Sequence, residues 1–286
     1  MSQTVLPDQA VWGVAEQLTP FLRARNQQNP NDVYVGHVTL PNGRRRSRAF
    51  VKVFPPQDRN QLVYNEIVGH YLALQCGLPS PLTFPCACHR LLLRSATLQI
   101  MAPDARSPYV MGVGSVDGNA KTLQQAGGHS AAVWANVMNW PHVARVAVFD
   151  ELMGNDDRHV ENLIRRGSHD YTLIDNERIL FGEPWFMRDL SELQTRRCDA
   201  NVLADTIAEG SDMIMRRRML DVAQRLLMET LLHVPEIAEN MEQMCGARAG
   251  TTQRLVEMLN ERRSHLPSLL QWHLEKGDLF HASTNR

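Results

Sequence analysis

The sequence contains no apolar run that approaches the roughly 18 residues of a membrane-spanning helix. Its first residues, MSQTVLPDQA, lack the basic region and apolar stretch of a secretory signal peptide. The formal net charge is only −1, which gives no general attraction to nucleic acid or to anionic membranes. We therefore expect no membrane span and no direct binding of nucleic acid.

Cysteine is also scarce. The chain has five cysteines, an odd number at irregular spacing, which argues against a disulfide framework and for a reducing, cytoplasmic location. Cys86-Ala87-Cys88-His89 could in principle hold a metal ion, but no second pair of ligands stands at a useful distance. We interpret these cysteines as buried or idle thiols. The hydrophobic content of 43% is that of a globular protein.

The first third of the chain has the pattern of β-strands. Pro41-Asn42-Gly43 predicts a tight turn between two stretches rich in β-branched residues. Alternation in the second stretch places Phe50, Lys52 and Phe54 on one face, an unusual setting for a solvent-facing lysine. The predicted strands are Ala10–Leu18, Val33–Leu40, Ser47–Phe54, Arg90–Leu93 and Thr97–Met101.

Helical spacing of apolar residues predicts a helix over Asp58–Cys76, with Glu66 near its middle and Gly77 at its C-cap. Ala102–Ser107 is the first clear break in the pattern. We interpret the glycine-containing stretch Gly112–Asn119 beyond this break as a mobile loop.

The rest of the chain is mainly helical. A helix is predicted over Trp140–Gly154 and further helices after Ser211, with short strands at Asn162–Arg165 and Tyr171–Ile174. This order predicts an α+β fold of two lobes. The first, residues 1–102, is a small β-rich N-lobe with one helix, and the second, residues 103–286, is a larger helical C-lobe.

Polar residues are concentrated in MGNDDRHVENLI, residues 153–164, between the apolar runs VARVAVF and YTLI. Asp157 and Asn162 are five residues apart, and Asp175 follows thirteen residues later. Phosphoryl transfer from ATP needs a lysine for the phosphates, a carboxylate near the acceptor hydroxyl, and oxygen ligands for Mg²⁺. Together with Lys52 and Glu66, these residues provide that set of groups.

The same residues resemble the HipA-like and phosphoinositide 3/4-kinase-like branch of the protein-kinase-like superfamily. Residues 155–162, NDDRHVEN, fit the pattern N-x-D-x-H-x-x-N of its catalytic loop, and LIDN at 173–176 resembles its metal site. The stretch FVKVF…NEIVGHYLALQCGLPSP also resembles the HipA-like pattern. The resemblance spans about residues 49–176, and it implies a two-lobed kinase fold that uses ATP and Mg²⁺.

The resemblance also implies a role for each matched position. The catalytic base or hydroxyl-orienting group would be Asp157, and Lys52 would contact the ATP phosphates and pair with Glu66. Arg158 and His159 would shape the loop or meet the γ-phosphate. The Mg²⁺ ligands would be Asn162 and Asp175, and adenine would stack near Met101 to Asp104.

Two features depart from the family pattern. The loop over Thr19–Asp32 contains no glycine, although a glycine-rich turn usually covers the phosphates. Its backbone amides could still face the phosphates, together with Arg23 or Arg25, but without the positive φ that glycine allows. Asp175 is followed by Asn-Glu rather than Phe-Gly, which does not support an activation switch of the eukaryotic type.

The sequence alone does not identify the acceptor of the phosphoryl group. HipA-like relatives phosphorylate Ser/Thr hydroxyls of proteins, and many are toxins, so an antitoxin is a candidate partner. A phosphoinositide or small-molecule kinase is the alternative, because lipid kinases share the DRHxxN motif. A pseudokinase that acts by protein interaction is a third hypothesis. The alternative without a functional site is that the lysine and the carboxylates are ordinary solvent-exposed side chains.

Overall fold

The structure is a computed structural model with a mixed α+β fold, which confirms the predicted class. Its described part begins at Gly13 and ends at Thr284. The residues that it describes are 13–20, 32–41, 46–54, 59–93, 109–116, 121–122, 131–159, 162–186, 188–210, 212–229, 232–233 and 236–284.

Five strands close into a barrel. Its order is β1-β2-β3-β5-β4, and β1 pairs with β4 in parallel, whereas the other neighbours are antiparallel. Alternate residues of β3, Ala49, Val51 and Val53, point into the barrel and are fully buried. The opposite face of β3 carries Lys52, as its alternation predicts. The strands are β1 Gly13–Pro20, β2 Asp32–Thr39, β3 Arg46–Val53, β4 Leu82–His89 and β5 Tyr109–Val116.

Two of the sequence interpretations around this barrel are wrong. The stretch read as a mobile loop from Gly112 contributes to strand β5, which pairs with β3 and β4. The predicted strand Arg90–Leu93 is instead a 3₁₀-helix over Arg90–Leu92, and the strand before it, β4, has no counterpart in the prediction. The other predicted strand of this region, Thr97–Met101, lies outside the described residues.

The glycines of β5 lie where neighbouring atoms leave no room for a side chain. A Cβ on Gly112 would come within 2.5 Å of the Lys52 carbonyl oxygen, and one on Gly114 within 2.5 Å of the Phe84 ring. A glycine within a strand often indicates that a neighbouring backbone or side chain approaches closely, and here it allows β5 to lie against β3. Strand β5 lies beyond residue 102, where the sequence placed the end of the N-lobe, and that boundary stays a prediction.

Helix α1, Arg59–Gln75, packs against β4 and β5 of the barrel and against a helix of the remaining chain. Its buried face includes Val63, Ile67 and Leu72. The helix ends as predicted at Gly77, whose φ of 66° is readily accessible only to glycine. The backbone N–H of Leu78 donates to the Ala73 carbonyl at 2.9 Å and closes this C-cap.

A small sheet of order β6-β7-β8 follows, formed by Lys121–Thr122, Leu163–Arg165 and Tyr171–Leu173. Hairpin β7–β8 confirms the two short strands predicted on either side of Gly167. The remaining helices are α2 Ala131–Met138, α3 Val143–Met153, α4 Val202–Glu209, α5 Met213–Met228, α6 Glu236–Met244, α7 Thr251–Arg263 and α8 Leu266–Thr284.

Helix α3 is the central element of the helical part. Every residue of it except Arg145 is buried, and it packs against α4, α5, α7 and α8. Its last turn carries two fully buried carboxylates, Asp150 and Glu151, and it ends at Gly154 with a φ of 57°. The polar segment predicted to hold the chemistry starts directly after this helix. No helix in the described part of the chain is long and apolar enough to cross a membrane.

Candidate active site

The predicted lysine and the predicted metal-binding aspartate meet in the structure. Lys52 Nζ, from β3, donates to Asp175 Oδ1 at 2.6 Å, although 123 residues separate them along the chain. The same amine forms an ion pair with Glu177. All three side chains are largely buried, with exposures of 11–12%. The barrel and the segment after β8 therefore contribute to one site.

Glu66 belongs to this site but does not act as predicted. Its Oε2 accepts a hydrogen bond from the Asn176 backbone N–H at 2.6 Å, and its Oε1 accepts one from the Asp175 backbone N–H at 3.2 Å. The ion pairs of Lys52 go to Asp175 and Glu177 instead of to the expected Glu66. Glu66 thus holds the backbone of the aspartate, and Glu177 takes the role of lysine partner.

The electrostatics of Glu66 follow from this position. Burial raises the pKa of its carboxyl, the positive charge of Lys52 lowers it, and the charge of Asp175 raises it again, to about 7 overall. A buried carboxyl with this pKa beside two further carboxylates indicates a crowded anionic site. One cation already lies there in the form of Lys52.

Asp175 has an unusual backbone. Its φ is 67°, a conformation that few residues other than glycine adopt. Glu66 holds both this residue and the next by their N–H groups, and Lys52 holds its side chain. Strain of this kind persists where surrounding contacts fix the chain, and it is frequent at functional sites.

Side chains of the loop fix the shape of residues 154–159. Asn155 donates from Nδ2 to Asp150 Oδ1 at 3.2 Å, and its Oδ1 accepts from the Asp157 backbone N–H at 3.2 Å. Asn162 Nδ2 donates to the Asp157 carbonyl at 2.7 Å. The loop is therefore tied both to helix α3 and to the start of β7.

The Asp157 side chain is half-buried, and its carboxyl is influenced by the charge of Asp175. Burial raises the pKa of the Asp157 carboxyl, His159 lowers it, and the charge of Asp175 raises it further. This mutual influence places the two carboxylates in one electrostatic environment. The predicted base therefore lies within electrostatic reach of the predicted metal ligand. His159, also predicted there, is half-buried, and its Nδ1 has no hydrogen-bond partner among the described residues.

Arg158 shapes the loop, which was one of the two roles predicted for it. Its side chain is only 1% exposed and donates to both carboxylate oxygens of Asp150 at 3.1 Å. It also donates to the Ile174 carbonyl at 2.6 Å and to Asn176 Oδ1 at 2.8 Å. A guanidinium with these contacts is committed to the protein, so the predicted γ-phosphate contact does not fit its geometry.

The donor set suits a divalent cation that prefers oxygen. Carboxylate oxygens of Glu66, Asp175 and Glu177 all lie within 4.8 Å of one another. The Oδ1 atom of Asn162 is buried and accepts no hydrogen bond from the residues that the structure describes. A buried amide oxygen without a partner is costly unless a ligand satisfies it. The predicted Mg²⁺ ligands, Asn162 and Asp175, therefore fit such an ion.

The expected adenine contacts, Met101 and Asp104, lie outside the described residues. Arg23 and Arg25 of the glycine-free loop also lie outside them. The ends of that loop, Thr19 and Asp32, belong to strands β1 and β2.

Sequence reasoning missed several site residues. Asp150 was concealed in an apolar helix, although an aspartate in a run such as VARVAVFDELM is a signal of a buried polar contact. Glu177 and Arg178 stand two and three residues after Asp175, where the family pattern offered no role for them. Their proximity to the predicted metal ligand was the available signal.

Comparisons with known proteins find likeness only among solved structures. No protein-family model matches the chain, and no curated protein sequence matches it significantly. Among solved structures, the Helicobacter pylori proinflammatory kinase CtkA matches with a TM-score of 0.43 and 12% identity. The match covers 89% of this chain and 94% of that chain. The functional assignment below depends on the site itself and not on this match.

Proposed function

We propose that this protein is an ATP- and Mg²⁺-dependent phosphotransferase with a two-lobed, kinase-like arrangement. The observation that carries the proposal is the ion pair of 2.6 Å between Lys52 of the barrel and Asp175 of the helical part. It joins two groups that phosphoryl transfer requires, and the loop with Asp157 and Asn162 borders the same site.

Each residue has a chemical role in this proposal. Lys52 turns from Asp175 to the α/β-phosphates of ATP and keeps its ion pair with Glu177, while Glu66 holds the Asp175 backbone in place. Asn162 and Asp175 bind Mg²⁺, which neutralises phosphate charge when bound. Asp157 orients the acceptor hydroxyl and receives its proton. The hydroxyl oxygen bonds to the γ-phosphorus, the bond to the bridging oxygen breaks, and ADP leaves.

The acceptor that we favour is a Ser/Thr hydroxyl of a protein. The support for this is the resemblance of residues 49–176 to HipA-like kinases, and an antitoxin is then a candidate partner. A phosphoinositide or other small-molecule acceptor and a pseudokinase without transfer are the alternatives that the test must separate.

The test is transfer of label from γ-³²P-ATP in the presence of Mg²⁺. The protein is incubated alone, with a protein extract, and with phosphoinositide vesicles. We expect label on protein that is lost in Asp157→Asn and retained in the control Asp199→Asn, which changes an exposed aspartate away from the site. Label on lipid alone would support the alternative acceptor. Nucleotide binding without any transfer would contradict the proposal and favour a pseudokinase.

A further inference from the structure

The segment after Asp175 is folded back onto the catalytic loop. Leu180, Phe181 and Gly182 all have positive φ values, between 55° and 63°. The Phe181 backbone N–H donates to the Gly154 carbonyl at 2.7 Å, and its ring lies against Gly154, where a Cβ would come within 2.8 Å. This packing fixes Arg178 at the edge of the site.

Two carboxylate oxygens orient the Arg178 guanidinium. Its Nε donates to Asp156 Oδ1 at 3.0 Å, and its Nη2 donates to Oδ2 at 3.2 Å. On another side it packs on Gly182, where a Cβ would meet Nη2 at 2.9 Å. The residue after Asp156 is the proposed catalytic Asp157. The two hydrogen bonds to Asp156 thus hold the Arg178 guanidinium in one orientation beside the proposed reacting groups.

Arg178 is more accessible to solvent than the two other cations described at the site. Its side chain is 45% exposed, whereas Lys52 is 12% and Arg158 is 1% exposed. The hydrogen bonds that Arg178 donates to Asp156 raise the pKa of Arg178, and the charges of Asp157 and Asp175 act in the same direction. The guanidinium therefore lies in the field of the two carboxylates that would face the transferred phosphoryl group.

A phosphate at this site needs such a cation. Asp156, Asp157 and Asp175 are acidic, and Arg158 is committed to Asp150. The sequence also lacks glycine in the segment where a phosphate-covering turn is expected. A guanidinium carries five N–H donors in a planar fork that matches phosphate oxygens, so it can contact Asp156 and a phosphate together.

We infer that Arg178 binds the γ-phosphate of ATP and stabilises the phosphoryl group during its transfer. This inference rests on the proposed function, and it assigns to Arg178 the terminal-phosphate contact that Arg158 does not make. Asp156 is then the positioning residue that aims the guanidinium.

The experiment measures the Kd of two nucleotides by calorimetry in the presence of Mg²⁺. One is ADP, and the other is a non-hydrolysable ATP analogue with a third phosphate. In Arg178→Ala we expect binding of the ATP analogue to weaken by about tenfold, because a charged hydrogen bond is lost. Binding of ADP should change by less than about twofold, since a half-exposed arginine that touches only the third phosphate contributes little elsewhere.

Two further variants make the result specific. Arg188→Ala removes another exposed arginine of the same segment, paired with Glu183, and should change neither constant. Arg178→Lys keeps the charge but loses the fork, so it should recover only part of the affinity for the ATP analogue. Equal weakening of both nucleotides in Arg178→Ala, or of neither, would overturn the inference while leaving the proposed function intact. Failure of the unaltered protein to bind either nucleotide would overturn both.

Discussion

The lysine of the site is surrounded by carboxylate side chains. Lys52 pairs with Asp175 and Glu177, and Glu66 lies close enough for the lysine to lower its pKa. In the absence of nucleotide, the amine therefore acts as the counter-ion of a carboxylate cluster. Its removal leaves those carboxylates to repel one another in a largely buried place.

This arrangement predicts how Mg²⁺ affects a lysine variant. Lys52→Met should lower the melting temperature of the protein without metal, and millimolar Mg²⁺ should recover part of the loss by taking the place of the amine. We expect Mg²⁺ to raise Tm by roughly 4 °C more in the variant than in the unaltered protein. Differential scanning fluorimetry measures this.

Lys276→Met is the matched control, because it removes a lysine that pairs with Asp205 elsewhere. Its Tm should not depend on Mg²⁺ beyond that of the unaltered protein. An equal Mg²⁺ effect in both variants would mean that the cluster around Asp175 does not bind the ion.

The sequence predicted candidate site residues but not their partners. Lys52, Asp157, Asn162 and Asp175 follow from motif spacing, because side-chain chemistry is readable from residue type. That Glu177 pairs with the lysine, while Glu66 accepts from the Asp175 and Asn176 backbone, depends on tertiary positions that no local pattern records. The positive φ of Asp175 likewise has no glycine in the sequence to indicate it.

At the level of secondary-structure elements, strand β5 pairs with β3, the strand that carries Lys52. The sequence pattern of β-branched residues predicted β2 and β3, but the glycines of β5 and Pro85 within β4 are residues that normally argue against strands. These strands form because neighbours surround them on both sides in the barrel. Such tertiary support cannot be read from local propensity, so the prediction failed there.

Gly112 gives a test at this scale. Gly112→Ala places a methyl group 2.5 Å from the Lys52 carbonyl, so β5 must shift away from β3. We expect the free energy of unfolding to fall by about 2 kcal/mol or more, a cost typical of overpacking. Urea unfolding followed by circular dichroism measures it.

Gly167→Ala serves as control, because its methyl group would lie 3.5 Å from the nearest Asp170 atom and meet an ordinary contact. Its stability should stay within about 0.5 kcal/mol of the unaltered protein. A Gly112→Ala protein of unchanged stability would contradict the close approach of β5 to β3.

At the scale of the whole molecule, a buried polar network ties the catalytic loop to distant helices. Glu151, at the end of α3, contacts His273 of α8 at 3.1 Å, and His273 contacts Asp205 of α4 at 2.7 Å. Arg262 of α7 donates to the carbonyl oxygens of Glu151 and Leu152 at 2.8 and 3.0 Å. The turn that leads into the catalytic loop is thus held by groups far away in sequence.

The network makes stability depend on pH. Burial would lower the pKa of His273, but hydrogen bonds to Asp205 and Glu151 and their charges raise it to about 9. The folded pKa lies above that of an unfolded histidine, about 6.5. The stabilisation is therefore complete below pH 6.5 or so and is lost as pH rises through 9, on the order of 3 kcal/mol in total.

Urea unfolding at pH 6.5 and pH 9.5 checks this expectation. The unaltered protein should lose more stability over this interval than His273→Gln does. His169→Gln, which changes an exposed histidine, should keep the full loss. If His273→Gln shows the same pH dependence as the unaltered protein, the histidine is not charged in the folded state.

A crystal structure of the protein with Mg²⁺ and a non-hydrolysable ATP analogue tests the proposed phosphotransfer site at the level of its ligands. We expect one site in which the cation is bound by Asn162 and Asp175 and Lys52 contacts the phosphates. A nucleotide bound elsewhere, or a cation away from both Asn162 and Asp175, would contradict it.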